Sequence, residues 1–208
     1  MCGVSFTRRS LALALLGCMM VPLDGRAADE DLARLFSELG TRGDRQARFT
    51  ERRFSALLKG PAESSGTLGF RAPDVLEKNT VLPQRESVRV EGNVVTYESA
   101  ARASAQKRTF SLSDAPLLAA LIESLRATLA GDLAALRSHY DVQLSALTAM
   151  DWQLTLTPRD RMLRDAVAKV VLRGSAGDVR TIEIVEANGD LVLTQITPLP
   201  APAAPAKK

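Results

Sequence analysis

Between Gln46 and Thr197 the 208-residue chain moves through short runs of alternating apolar and polar residues, and it leaves that habit for one long stretch only. The runs are "QARFTERRFSALL", "SSGTLGFRA", "VLEKNTVL", "ESVRVEG", "NVVTYES" and "KRTFSLS", then "DVQLSAL", "DWQLTLTP", "AVAKVVLRG", "VRTIEIVEA" and "DLVLTQIT". A period of two is the mark of strands with one buried face. Strand after strand across short turns implies antiparallel pairing, because a parallel pair needs a crossover of a dozen or more residues. Gly92-Asn93 predicts a hairpin that sets Val88 and Val90 beside Val95 and Tyr97, and Asn188-Gly189 predicts another. Pro73 has no N–H for a ladder, so the chain must turn there, between Leu68/Phe70 on one strand and Leu76 on the next.

The long interruption is helical. Asp114 is placed to cap a helix with Pro116 in its first turn, and "PLLAALIESLRATLAG" stops at Gly131. Leu117, Leu118, Leu121, Ile122, Leu125 and Leu129 form a wide apolar stripe, with Glu123 and Arg126 off it. Asp132 can cap a second short helix, "LAALRSHY". "RDRMLRDA" reads as a helical turn. Near the start, "EDLARLFSELG" carries Leu32, Leu35, Phe36 and Leu39 at helical spacing and ends at Gly40. The fold class is therefore α+β: a curled antiparallel sheet of about ten or eleven strands whose concave face the helices cover. A leucine-rich helix on a sheet ordinarily means a filled core. Yet only 4% of the residues are aromatic, and leucine and valine alone must fill a strongly curved interior, so unfilled apolar space is the other reading.

The first 27 residues read as an export signal. Arg8 and Arg9 precede an apolar run too short to span a bilayer, and Gly25 and Ala27 stand before a cleavage point at Ala28. Two arginines leave both the general and the twin-arginine export routes open. "LLGC" offers lipidation at Cys18 as the alternative to simple cleavage near Ala27. Both cysteines, Cys2 and Cys18, leave with such a signal. So does a net +2, which takes the formal charge from +3 to about +1 and argues against broad nucleic-acid attraction. Three segments are expected: the signal over 1–27, one domain over 28–198, and a Pro/Ala-rich tail over 199–208 without fixed structure.

Chemistry is thinly represented. His139 is the only histidine and sits at a helix end, Asp160 and Asp165 flank a helical turn, and no Gly-rich phosphate loop or calcium ladder is present. No enzyme activity, metal or cofactor is expected. Arg45, Arg48, Arg52 and Arg53 form a basic cluster, read either as the solvated side of a strand or as a docking face for an anionic partner or a membrane surface. The second option defines an alternative function, a non-catalytic envelope interaction module with a filled core.

The succession of the N-terminal helix, "ARFTERRF", "GTLGFRAPDVL", "LPQRESVRVEGNVVTYE", a helical insert and "GDVRTIEIVEANGD" resembles the periplasmic outer-membrane lipoprotein carriers of the LolA-like family, its divergent LolA-related branch above all. The resemblance implies an incomplete antiparallel β-barrel closed by a lid of helices, with an apolar cavity for acyl chains. It implies a monomeric carrier in the periplasm that takes an acylated lipoprotein or lipid-like cargo from an inner-membrane exporter to an outer-membrane acceptor. The wall and lid residues it points to are Leu35, Phe36, Phe49, Leu68, Phe70, Leu76, Val88, Val90, Val95, Tyr97, Phe110, Leu118, Leu121, Ile122, Leu125 and Leu154. Where the family has an arginine that hydrogen-bonds the lid, this chain has Ala72. The expectation is a lid without that bond, resting partly open.

Overall fold

The computed structural model describes residues 24–101 and 104–200. Most of the expected signal, and residues 201–208 of the expected tail, lie outside the described residues. Helix α1 (Asp24–Thr41) leads into β1 (Arg45–Phe54), β2 (Ala62–Arg71), β3 (Val75–Leu82), β4 (Glu86–Glu91), β5 (Val94–Ala101) and β6 (Ser104–Ser111). A 3-10 turn over Leu112–Asp114 precedes α2 (Pro116–Ala130) and α3 (Leu133–His139). The chain then forms β7 (Tyr140–Ala146), β8 (Asp151–Pro158), the single turn α4 (Arg161–Arg164), β9 (Val167–Ser175), β10 (Asp178–Glu186) and β11 (Leu191–Pro198).

All eleven strands join one antiparallel sheet in the order β6-β5-β4-β3-β2-β1-β11-β10-β9-β8-β7. Every strand but one is paired with its successor, and the last returns to pair with the first over Ala47–Phe54 and Leu191–Pro198. The one open step is β6 to β7, where α2 and α3 are inserted. The product is an incomplete barrel: a sheet that would close on itself if β6 and β7 met, with helices at the seam.

Local chemistry explains the boundaries. Pro116 occupies the first turn of α2, where a missing N–H costs nothing. Gly131 ends the helix at φ +76°, donating to the Ala127 and Thr128 carbonyls. Asp132 accepts from the Ala135 N–H at 2.9 Å and caps α3, as its position predicts. Asp114 does not cap α2. The cap position is Ala115, and Asp114 is taken up in the 3-10 turn, itself capped by Ser111. The first strand also stops short of its apolar sequence. Its partner β11 begins opposite Phe54, so Ser55–Leu58 have no ladder to join and form a loop, with Leu57 94% exposed.

Two apolar clusters result. One packs Leu32, Leu35, Phe36 and Leu39 of α1 with Leu136, Tyr140 and strands β8 and β9. The other gathers Phe70, Leu76, Val90, Val95 and Leu112 under the leucines of α2. Helix α2 straddles both. Its buried residues are the small ones, Ala120, Ser124, Ala127 and Thr128. Ser124 and Thr128 return their hydroxyls to carbonyls one turn back, at 2.5 and 2.9 Å, so neither leaves a polar orphan.

Candidate functional site

Antiparallel register decides which side chains share the concave face. Arg45, Phe70, Leu76, Val90, Val95 and Phe110 stand opposite one another across β1 to β6. The next inward row is Ala47, Leu68, Lys78, Val88, Tyr97 and Arg108. Between these rows and α2 lies a cavity of about 550 Å³. Leu68, Phe70, Leu76, Val88 and Val90 form one wall, Ile122, Leu125 and Leu129 the roof, and Leu172, Ile182 and Ile196 the opposite wall. Arg42 and Asp44, both exposed, lie at its margin with Asp178. The volume falls within the usual range for small-molecule pockets.

Seven of the sixteen residues singled out from the sequence line this space: Leu68, Phe70, Leu76, Val88, Val90, Ile122 and Leu125. Leu35, Phe36 and Leu154 are instead buried in the cluster around α1, and Leu121 packs against that cluster. Val95 and Leu118 belong to the cluster around Phe70 without lining the cavity. Tyr97 is half-buried, Phe110 is 37% exposed, and both stand outside the cavity wall near the free edge. Phe49 is buried in the concave face opposite Ile196; Ile196 lines the cavity and Phe49 does not.

The lid is tied down, contrary to the expectation drawn from Ala72. Arg45 projects from the start of β1 and its guanidinium donates to Leu129 O of α2 at 2.9 Å and to Leu39 O of α1. Those carbonyls belong to the last turns of two helices, which have no intrahelical partners and carry the negative ends of the helix dipoles. The two ends are brought together by glycines. A Cβ on Gly131 would lie 2.3 Å from Phe36 O, and one on Gly40 would lie 2.8 Å from Ala130 O. Burial holds the Arg45 pKa below the ordinary arginine value, with the Asp178 carboxylate opposing that shift. A second arginine, Arg126 of α2, donates to Gly92 O in the β4–β5 turn at 2.8 Å. Ala72 itself is exposed, and its N–H donates to Asp44 Oδ1 at 3.0 Å.

The rest of the basic cluster is largely neutralised. Arg52 pairs with Glu63 at 3.0 Å and Arg53 with Glu186 at 2.5 Å. Counting by twos from buried Phe49 separates inward Arg45 from outward Arg48 and Arg52. That parity was the available signal for the lid contact, and grouping the four arginines as one patch hid it. His139 lies 3.2 Å from Asp160 and 3.5 Å from Glu123. Among the described residues no three His, Cys, Asp or Glu side chains converge as a metal site. No described helix is long and apolar enough to cross a membrane.

An open antiparallel barrel whose helical lid roofs an apolar cavity is the architecture of a lidded apolar-binding protein. Over residues 25–208 the chain matches the family described as outer membrane lipoprotein carrier protein LolA-like, and it belongs to that family. Among solved structures it is similar to the LolA superfamily protein NE2245 from Nitrosomonas europaea, with 13% identity, a TM-score of 0.41, and coverage of 84% of this chain and 94% of that one. It is also similar to a chain of the Pseudomonas aeruginosa MucA/MucB complex, with 16% identity, a TM-score of 0.45, and coverage of 83% and 59%. LprF from Mycobacterium bovis matches at 9% identity and a TM-score of 0.34, with coverage of 84% and 95%. No curated protein sequence matches the chain.

Proposed function

We propose that this protein is a periplasmic carrier that shelters the acyl chain of a lipoprotein, or another lipid-like cargo, in the cavity under α2. In this reading it takes the cargo from an exporter in the inner membrane and yields it to an acceptor in the outer membrane. It acts as a monomer, after signal cleavage, and without turnover chemistry. The observation that carries the proposal is the inverted burial of α2. Ala120, Ser124, Ala127 and Thr128 are buried, whereas Leu118, Ile122, Leu125 and Leu129 are only half-buried. A filled core would hide the leucines first, because they have the most apolar area to gain by it. Half-covered leucines above an apolar wall are what a roof over a chain-binding space requires. Family membership supports the same reading.

The driving force would be removal of methylenes from water, about 0.8 kcal/mol for each one buried. The interaction-module alternative draws less support, since two of its arginines already have acidic partners. Native mass spectrometry of protein isolated from a periplasm, paired with titration of a fluorescent fatty acyl probe, tests the proposal. Co-purifying apolar mass and saturable probe uptake are expected. Ligand-free protein together with no probe uptake would refute it.

A further inference from the structure

On β1–β3 the cavity stops at Ala47, Leu68 and Lys78, whereas on β11 it reaches Ile196, opposite Phe49. Beyond Ala47 and Leu68 the next inward residue of β1 is Phe49, and the one after it is Glu51. Phe49 is apolar and faces the same way as the cavity wall, yet it is only 2% exposed and does not line the cavity. Lys78 accounts for this. It does line the cavity, in register with Leu68, and its side chain turns away from the row to lie over Phe49. Its Nζ is 4.9 Å from the centre of the Phe49 ring and donates to both carboxylate oxygens of Glu51, at 2.9 and 3.1 Å. Glu51 is held in turn by Thr194 Oγ1 at 3.1 Å and Ser64 Oγ at 3.4 Å. Half-exposed ion pairs add little net stability, so stability alone does not account for a charged arm laid across an apolar floor.

We propose that Lys78, anchored by Glu51, is the stop that limits the length of the apolar chain the cavity takes. The inference rests on the carrier reading and adds to it a specificity-determining residue. The chain would lie along the Leu68–Phe70–Leu76–Val88 wall with its end against the Lys78 arm.

Lys78→Ala uncovers Phe49 and extends the floor by the reach of the lost arm, roughly four carbons at about 1.5 Å per bond. Displacement of a fluorescent acyl probe by a homologous series of straight-chain fatty acids, medium to very long, reads this out. For the native protein, affinity should rise about fourfold per added methylene and then level off. In Lys78→Ala the plateau should move to longer chains by about four carbons. In Lys78→Met, which keeps an arm of similar length, it should stay where it is. Glu51→Gln with Lys78→Ala removes the orphaned carboxylate and should show the same displacement if the single variant folds poorly. Plateaus that coincide in all variants would overturn the inference while leaving the carrier reading standing. Absence of any chain binding by native protein would overturn both.

Discussion

Removing the Arg45 guanidinium should loosen the lid while leaving the sheet intact. Arg45→Met keeps an apolar stem beside Phe70, whose ring centre lies 5.8 Å from the guanidinium carbon, and deletes both donors to Leu39 O and Leu129 O. Hydrogen bonds from a charged donor contribute about 1.5–3 kcal/mol each when well buried. Here the freed carbonyls are helix ends near the solvated margin and can recruit water, so about 2 kcal/mol for the pair is the reasonable size. That is roughly a thirtyfold rise in the population with the α2 C-terminus detached. Amide hydrogen exchange followed by mass spectrometry reads it directly. Peptides covering Ile122–Ala130 should exchange roughly thirtyfold faster, whereas those covering Glu86–Glu91 and Val94–Tyr97 should be unchanged. Unaltered exchange in α2 would refute the clamp. Equal acceleration across α2 and the β4–β5 hairpin would instead mark Arg45 as a general stability residue, which also contradicts the reasoning.

Three other substitutions follow from the same geometry. Gly131→Ala places a Cβ 2.3 Å from Phe36 O at a φ of +76°, and a cost of about 2–3 kcal/mol should lower Tm by about 4–12 °C; an unchanged Tm would mean the helix ends need no glycine contact. Leu125→Asp puts a carboxylate in the cavity roof and should weaken acyl-probe binding roughly tenfold or more without altering strand exchange. Equal affinity would show that the roof does not touch the chain. Ala72→Arg should change lid exchange by no more than about twofold, as for an ordinary surface substitution, because Arg45 already occupies both helix ends; marked slowing would show that this position can still act on the lid.

Much of the fold was legible because it is local. Alternation marked every strand, Gly131 and Asp132 marked the break between two helices, and Gly92 and Gly189 take the positive φ their turns demand. What the sequence concealed is long-range. Nothing near Phe49 announces that β1 pairs with β11, a contact closed across most of the chain. The reason the loop after Phe54 is not strand lies in where that distant partner begins. The cavity was half legible for the same reason. The β2–β4 wall follows from alternation, but Leu172, Ile182 and Ile196 enter it only because β11 returns to β1. Leu35, Phe36 and Leu154 carry the same apolar pattern as the wall residues, and pattern alone cannot tell a packed core from a lined space. Parity with Leu76 turns Lys78 inward, and nothing local in the sequence says that Glu51 of a different strand receives its charge there.

The central claim is that an apolar chain lies between α2 and the β2–β4 wall. The most direct measurement is photocrosslinking of a straight-chain fatty acid bearing a diazirine near its methyl end, with the adducts located by peptide mass spectrometry. Adducts should concentrate on Leu68, Phe70, Leu76, Val88, Ile122 and Leu125 and be suppressed by excess unlabelled fatty acid. Adducts scattered over exposed loops such as Leu57–Leu58, or unaffected by competitor, would contradict that claim.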